Sequence, residues 1–456
     1  MKKPFYKIAF LFLVFASYSP EIHSWNIAEV TGAQKEVIEI SPERSTGLDR
    51  LFVVSSMAGV QIVAKAVDGS FPTWYIYEYR GGGFAQPVSS TVTPAGSQLD
   101  NPEADKGYIL EYPNSDRYYF WLTDYSQYRL RLDAVTIPAQ DDCGMVTLDF
   151  HGHGEPIHYY AINGRQMTLG RDINVSYYTL DWDQENKIYN QIEENKTLDY
   201  FNENVFINPA PLCNTTFTVS GDRFLEKWGE SVTVESSPLQ TISVDVHTDA
   251  EQVKTDSDNS NIIGGGGDSE LGGSAPADIT FTAYVSDAVI HNEWQFSSTE
   301  DFEVIDQRFN DRELNYVFNE EGTTYVRFIG SNSDGSCEAV GDTYTVNIGS
   351  SDLQCPNAFS PGTSEGVNDE WKVAYRSLIE FKCWIFDRYG TQLFYFDDPQ
   401  LGWDGKYKGK YVKPGVYYYV IEARGADGKN YKKGGDINIV GKSIRSTNNG
   451  GTNPTE

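Results

Sequence analysis

Basic residues are scarce in this 456-residue chain, which has 36 Lys and Arg against 65 Asp and Glu and a formal net charge of −29. A surface of this sign repels nucleic acids and anionic membranes, so we expect no nucleic-acid partner. Beyond the first 24 residues, no stretch is long and apolar enough for a transmembrane helix. The composition therefore favours an exported, well-hydrated protein without a transmembrane segment.

Catalytic motifs are also missing. The sequence contains no GxSxG, HExxH or Walker motif. Two acidic stretches, at 181–185 and 298–303, could hold the paired carboxylates of a glycosidase. In a chain with 65 acidic residues such clusters are expected by chance, and we interpret them as solvated loops. We expect no cofactor and predict a protein that is not an enzyme.

Histidine is rare, and three of the six histidines lie in DFHGHGEPIH, residues 149–158. On a strand, His151 and His153 would point to the same face, and with His158 they form a weak candidate for a zinc or copper site. The glycines and the proline indicate a strand that runs into a turn, and HxH is common by chance. We therefore predict surface or structural histidines and no bound metal.

The cysteines number five, and none has CxxC spacing, which argues against a zinc or redox site. In an oxidising compartment the default is pairing, and an odd number leaves one thiol over. Cys143 with Cys213 is the natural pair in the first half. For the remaining three, both Cys355–Cys383 and Cys337–Cys355 are open.

Short alternating runs rich in Tyr, Val, Thr and Ile recur along the chain, and no long helical period is present. Examples are TWYIYEY at 73–79, YRLRLDAVTI at 128–137 and VYYYVIEA at 416–423. Runs of this period, separated by turn-forming residues, are typical of β-sandwiches. Stacking of sugars on the aromatic stretches 74–79 and 118–125 is an alternative, but we interpret these aromatics as core residues, with Trp74 and Trp121 as anchors.

The N-terminus begins MKKPFYKIAFLFLVFA. Lys2, Lys3 and Lys7 precede a short apolar run, and Ser24 is the expected last residue before cleavage. This order is typical of a Sec signal peptide, and the run is too short to span a bilayer.

A module near residue 300 carries NEWQFSSTEDFEV and NYVFNEEGTTYVRFIG. Its marks are Trp294, Tyr316, Gly322, Tyr325 and Val326. In these residues it resembles the immunoglobulin-like PKD family, which implies a β-sandwich with the tryptophan as a core plug. Such modules act mostly as spacers or contact surfaces.

Four motifs follow in order at the C-terminus: PNAFSP with NDEW, IFDRYG, WDG and PGVYYYVI. The candidate site residues are Pro356, Asn357, Phe359, Pro361, Asn368, Asp369, Trp371, Phe386, Arg388, Gly390, Trp403, Asp404, Gly405, Pro414, Gly415 and Tyr417. In these motifs, residues 355–441 closely resemble the gliding-motility-associated C-terminal domain, the type B sorting domain of the Bacteroidetes type IX secretion system. The resemblance implies a cofactor-free antiparallel sandwich that is recognised by the outer-membrane translocon.

The resulting interpretation is an all-β string of immunoglobulin-like sandwich modules. The predicted divisions are a signal peptide (1–24), an N-terminal β-module (25–140), one or more middle β-modules (141–248), a flexible linker (249–277), the PKD-like sandwich (278–350), the sorting domain (351–441) and a disordered tail (442–456).

We expect Sec export followed by delivery to the cell surface or medium. The expected role is that of a non-catalytic adhesin or binding protein with a glycan or protein ligand. The alternatives are a glycan- or protein-degrading enzyme with its site in 140–250, or a structural part of a surface assembly.

Overall fold

The computed structural model describes residues 27–253, 261–263, 271–363 and 368–440. The predicted signal peptide and C-terminal tail lie outside these ranges. The structure is 53% strand and 4% helix, which confirms the predicted all-β class. Among the described residues, no helix has the length and apolarity needed to cross a membrane.

The first domain is a sandwich of two sheets. Its strands are β1 (Ala28–Thr31), β2 (Ile38–Ile40), β3 (Arg50–Val54), β4 (Gln61–Ala64), β5 (Thr73–Tyr77), β6 (Gln86–Val88), β7 (Thr91–Thr93), β8 (Gly96–Leu99), β9 (Lys106–Glu111) and β10 (Arg117–Asp124). The sheet orders are β1-β4-β8-β7 and β2-β3-β10-β9-β5-β6, and short 3₁₀ turns occur at Arg44–Thr46, Gly82–Phe84 and Tyr125–Tyr128.

The second domain is built from three further sheets, of three, two and four strands. Its elements are β11 (Arg131–Thr136), β12 (Val146–His153), β13 (Ile157–Tyr160), β14 (Gln166–Leu169), β15 (Ile173–Asp183), β16 (Ile188–Leu198), β17 (Asn204–Ile207), β18 (Thr218–Gly221), α1 (Arg223–Lys227) and β19 (Val232–Glu235). Because β11 pairs with β12, residues 131–136 belong to this domain and not to the predicted N-terminal module that ends at 140.

The six-stranded sheet of the first domain is buried on both faces. Alternate residues of β3 and β10 enter different cores: Phe52 and Phe120 pack inside the first domain, whereas Leu51 and Trp121 pack against the second domain. Near-continuous apolar strands such as LFVV are therefore explained by two covered faces. Trp74, at 1% exposed, and Trp121 lie in these cores, in agreement with our interpretation of these two residues as anchors, whereas Tyr79 of the first stretch is 54% exposed.

A buried ion pair lies where the first two domains meet. Arg171 Nη1 donates to Asp222 Oδ2 at 2.6 Å, and both side chains are almost fully buried. Tyr125 Oη, from the last turn of the first domain, donates to the same carboxylate at 3.0 Å. The other Arg171 amino group donates to the carbonyls of Tyr128 and Glu155. The pair therefore links both domains through one hydrogen-bond network.

The third domain contains the residues of the PKD resemblance. Its strands are β20 (Val246–Gln252), β21 (Leu271–Gly273), β22 (Ala277–Val285), β23 (His291–Ser297), β24 (Gln307–Phe309), β25 (Glu313–Phe318), β26 (Gly322–Ser331), β27 (Glu338–Val340) and β28 (Tyr344–Ile348). Trp294 is fully buried in the core and packs on Phe281 and Phe328.

Much of the described part of the predicted linker 249–277 is folded. Residues 249–252 lie in β20, which pairs with β22, and residues 271–273 form β21, which pairs with β28. The Gly-rich composition therefore marks an insertion between two strands of one sandwich. Residues 261–263 contact the fourth domain, where Ile263 N donates to Tyr375 O at 2.8 Å.

The predicted disulfide pairings are wrong. Cys143 is bonded to Cys337, with an S–S distance of 2.06 Å, and the bond joins the second domain to the third. Cys213, Cys355 and Cys383 are free thiols. Because Cys143 and Cys337 bond to each other, the predicted pairs Cys143–Cys213 and Cys337–Cys355 cannot form. The third predicted pair, Cys355–Cys383, is not bonded either. Burial raises the pKa of each free thiol, which disfavours the reactive thiolate.

The hairpin of β15 and β16 reaches beyond its own sheet to the third domain. Its strands pair over eleven positions, but β18 pairs with β15 only near residues 174–176. At the tip, the Trp182 ring stacks on His247 with centroids 4.4 Å apart and an interplanar angle of 9°. Tyr189 Oη donates to Asp245 Oδ2 at 3.0 Å, and Lys187 pairs with Asp249. This arm is a second connection between the domains, beside the disulfide.

The fourth domain is a small sandwich. Its strands are β29 (Asp352–Gln354), β30 (Ala358–Phe359), β31 (Ala374–Arg376), β32 (Leu378–Phe386), β33 (Gln392–Phe396), β34 (Lys406–Tyr407), β35 (Lys410–Tyr411), β36 (Gly415–Gly425) and β37 (Asn430–Ile439). The main sheet has the order β30-β37-β36-β32-β33.

Candidate functional site in the fourth domain

Two tryptophans from different motifs are paired in the core of the fourth domain. Trp371 of NDEW and Trp403 of WDG are both fully buried, and their backbones exchange N–H to O hydrogen bonds of 2.9 and 3.0 Å. Each indole is satisfied: Trp371 Nε1 donates to Pro356 O at 2.7 Å, and Trp403 Nε1 donates to Lys406 O at 3.0 Å. The two motifs therefore act as one structural unit, since each tryptophan fixes the chain around the other.

Aromatic residues of the other motifs pack on this pair. The Phe359 ring of PNAFSP lies 5.6 Å from Trp403, and the Tyr417 ring of PGVYYYVI lies 5.5 Å from the same indole. Tyr419 lies 5.0 Å from Trp371. Tyr419 was not among the predicted site residues, although its alternation with Tyr417 in the motif placed both on one face of the strand.

The glycine of WDG is required by packing. Gly405 has a φ of +74°, and a Cβ there would lie 2.8 Å from Cγ of Pro361. Asp404 closes the turn, because its Oδ1 accepts from the Lys406 backbone N–H at 3.0 Å. The spacing of this motif is thus explained by a tight turn beneath the end of PNAFSP.

The segment before Trp371 turns under the first motif. Asn368 has a φ of +55°, a conformation that asparagine tolerates, and its carbonyl accepts from Ser360 N at 2.9 Å. Asp369 Oδ1 accepts from Gly362 N at 3.0 Å. Asn357 is held on the opposite side, where its carbonyl accepts from Asn438 N at 2.8 Å.

Three predicted site residues lie apart from the tryptophan pair, in or beside the turn between β32 and β33. Arg388 and Gly390 are exposed, and Phe386 is half-buried. The turn depends on Asp387, which was not predicted as a site residue: its Oδ1 accepts from Tyr389 N at 2.9 Å and Thr391 N at 2.8 Å. These backbone hydrogen bonds hold the pKa of Asp387 below its usual range. Pro414 and Gly415 are likewise exposed, at the start of β36.

One part of the outward face of the main sheet, at the ends of β32 and β33 and the start of β36, is apolar and aromatic. Strand pairing places Trp384 beside Val420 and Tyr395, and Phe386 beside Tyr418. Tyr395, Tyr418 and Val420 are 40%, 45% and 45% exposed. We call Trp384, Phe386, Tyr395, Tyr418 and Val420 the outer face. Its opposite side packs into the core through Cys383, Ile385 and Ile421.

The three histidine candidates are separated into two elements. His151 and His153 lie exposed on β12, and His151 Nε2 is 2.9 Å from Thr136 Oγ1. His158 lies on β13, with Nδ1 3.1 Å from Thr168 Oγ1. In the described ranges, no group of three or more His, Cys, Asp or Glu side chains could hold a metal ion.

Comparisons with known proteins identify two of the domains. Residues 135–236 match the family model of a fibronectin type III domain, and residues 353–439 match that of the CHU_C type IX secretion signal domain. No curated protein matches the sequence.

Two solved structures are among those that match the chain. One contains three N-terminal domains of the Highly Immunogenic Outer Capsid protein (Hoc) of bacteriophage RB49, at 10% identity, 69% and 99% coverage of the two chains and a TM-score of 0.22. The other contains the FN1–FN3 domains of chicken CNTN1, at 11% identity, 68% and 98% coverage and a TM-score of 0.21. At these TM-scores neither likeness supports an argument.

The paired tryptophans and the turns around them lie within the second matched segment, as predicted from the motifs. This chain therefore carries a CHU_C type IX secretion signal domain at 353–439, preceded by a fibronectin type III domain at 135–236.

Proposed function

We propose that this chain is a non-catalytic binding protein that leaves the periplasm through the type IX machinery and acts at the cell surface or in the medium. The observation that carries the proposal is the secretion signal domain at 353–439, because a domain of this family implies interaction with the secretion machinery and export. The proposed earlier step is Sec export directed by residues 1–24.

The outer face is the proposed contact with the secretion machinery. The tryptophan pair is buried and therefore stabilises the domain without meeting a partner. Tyr418 and Val420 on the outer face instead expose an apolar surface of the kind that marks protein contacts.

The binding role of the first three domains is supported by their construction. By analogy at the level of the fold, sandwich domains of this kind serve as contact surfaces and spacers. Here the Cys143–Cys337 bond and the β15–β16 arm connect the second and third domains. Restricted movement between domains reduces the ordering cost of binding, which suits a protein that presents a surface.

Removal of residues 353–456 tests the export step. In a host with the type IX machinery, the truncated chain should accumulate in the periplasm, as measured by fractionation and by protease treatment of intact cells. A second variant, Tyr418→Ser with Val420→Ser, should reduce surface delivery while the domain stays folded. Tyr389→Ala, at an 81% exposed position away from the outer face, is the matched control. Surface delivery of the truncated chain would refute the assignment.

A glycan and protein array with the exported chain tests the binding role. Binding without turnover supports it, whereas hydrolysis of a bound glycan or protein would favour the enzyme alternative in 140–250.

A further inference from the structure

An exposed aromatic patch lies on the loop after β5. Tyr79 and Phe84 are 54% and 64% exposed, whereas Trp74 and Tyr77 of the same stretch are buried. The guanidinium carbon of Arg80 lies 5.6 Å from the centroid of the Tyr79 ring and 5.9 Å from that of Phe84. We call Tyr79, Arg80 and Phe84 the aromatic–arginine patch. Two exposed aromatic rings beside one cation offer a ligand both apolar faces and a positive charge.

The second domain holds the loop of this patch in place. Gly82 N donates to Ile162 O at 2.8 Å. Gly81 has a φ of +83°, and a Cβ there would lie 2.4 Å from Gly164 N; a Cβ on Gly164 would lie 2.9 Å from Arg80 O. The two backbones are therefore in direct contact, and neither loop has room for a side chain at these positions. A surface held in this way loses little conformational entropy when it binds a ligand.

A chain of aromatic rings connects the patch to the core. The Tyr79 ring lies 6.5 Å from Tyr160, and Tyr160 lies 5.7 Å from the buried Trp121. Tyr77 Oη donates to the Tyr160 carbonyl at 3.3 Å. One edge of the Tyr79 ring thus packs against Tyr160, and 54% of Tyr79 remains exposed to solvent.

The guanidinium of Arg80 has no carboxylate within ion-pair distance in the described part of the chain. Its Nε donates to Tyr79 Oη at 3.3 Å, and no ion pair is formed by its two terminal amino groups among the described residues. The nearest carboxylate in sequence, Glu78, forms its ion pair with Lys106; the Lys106 ammonium, and to a smaller extent the nearby Arg80 guanidinium, hold the pKa of Glu78 below its usual range. A guanidinium with free N–H groups is suited to a carboxylate, which it can bind through two parallel hydrogen bonds.

The size of the patch favours a small ligand unit. Two rings and one guanidinium cover far less than the roughly 800 Å² that each partner buries in a stable protein interface. A pyranose ring has an apolar face that fits on one aromatic ring, and a carboxylate on that sugar would reach the guanidinium between the rings. From the geometry we infer that the aromatic–arginine patch binds a carboxylated sugar, a uronic acid unit of a short acidic oligosaccharide; the net charge of −29 would repel a long polyanion. This inference rests on the proposed binding function and gives it a ligand class.

The test uses the exported full-length chain and calorimetric titration with galacturonate, glucuronate and mannuronate oligosaccharides. Methyl esters of the same oligosaccharides serve as uncharged probes. At least one acid form should bind about tenfold tighter than its ester, as expected for one charge-assisted contact. Arg80→Gln should abolish that preference. Phe84→Ala should weaken binding of both forms, while Tyr389→Ala, which removes an exposed ring next to Arg388, should leave binding unchanged.

Three other results would overturn the inference of a uronic acid site. It fails if no uronic acid chain binds, if esters bind as well as acids, or if Phe84→Ala and Arg80→Gln leave binding unchanged while both variants unfold at the temperature of the parent. A protein ligand found on the array would then leave the proposed function standing without this site. Cleavage of a uronic acid chain would instead contradict the proposed function itself.

Discussion

At the scale of single residues, the secretion signal domain depends on side chains that no partner can reach. Trp371 and Trp403 fill the centre of the fourth domain, and both indole N–H groups donate to backbone carbonyls. The NDEW and WDG motifs therefore serve the folding of the domain. If a substitution of Trp371 or Trp403 reduces export, the cause would be unfolding of the fourth domain.

Trp403→Ala should destabilise the fourth domain by about 3–5 kcal/mol, since it removes a large buried ring and leaves a cavity. Scanning calorimetry of the full chain measures the transition of this domain. Tyr389→Ala, at 81% exposure, should change stability by no more than about 0.5 kcal/mol. Similar losses in the two variants would contradict the assigned packing.

The buried ion pair between the first two domains gives a second prediction at this scale. Asp222→Asn should cost about 3–5 kcal/mol, because it leaves the Arg171 charge buried without its partner. The neighbouring pair of Arg223 and Asp172, 3.4 Å apart and partly exposed, offers a matched control. Asp172→Asn should cost less than about 1 kcal/mol, as is usual for surface pairs. Denaturant unfolding of both variants checks the difference, and equal effects would refute it.

At the scale of elements, the alternating runs predicted strands well because a half-buried strand has a side-chain period of two. TWYIY at 73–77 and GVYYYVI at 415–421 are strands in the structure. The prediction of a flexible linker at 249–277 was wrong for residues 249–252 and 271–273, which lie in strands. A Gly-rich composition cannot distinguish a linker between domains from an insertion between two strands. The disulfide could not be predicted from the sequence either. Cys143 and Cys337 are 194 residues apart in sequence, and their separation in space depends on how the second and third domains pack together.

The arm and the disulfide together predict a rigid junction. Cys143→Ser with Cys337→Ser should leave both domains folded, because each keeps its own core. Adding Trp182→Ala removes the stack on His247 and should widen the distribution of distances between the second and third domains. Fluorescence energy transfer between labels on the two domains measures this. Cys213→Ser, a buried free thiol, is the control, and an unchanged distribution in the triple variant would contradict the prediction.

At the scale of the whole molecule, the motifs predicted the secretion signal domain better than the surfaces that we propose for binding. Phe359, Trp371 and Trp403 come together as expected of residues in one motif set. Tyr418 and Val420 were not identified as site residues, because alternation shows that a strand has two faces but not which one is left uncovered. Tyr79 belongs to the same stretch as the buried Trp74, and only the position of the second domain shows where burial ends.

Buried tyrosines in several domains make the whole molecule sensitive to alkali. Burial raises the pKa of Tyr112, Tyr128 and Tyr344 to about 12 in each case. In the unfolded chain the phenol ionises near pH 10. Between about pH 10 and 12 the unfolded state therefore releases protons that the folded state keeps, so the free energy of unfolding falls as the pH rises.

The stability that these phenols contribute is fully present below about pH 10 and is lost as the pH rises through about 12. The midpoint temperature of unfolding should therefore decline steadily across this window, and tyrosinate absorbance should show a late fraction that appears only together with unfolding. Tyr344→Phe should reduce the slope, because it removes one late-titrating group and retains the ring that packs on Phe281. A midpoint that stays constant up to about pH 12 would show that the buried phenols ionise without resistance from the fold.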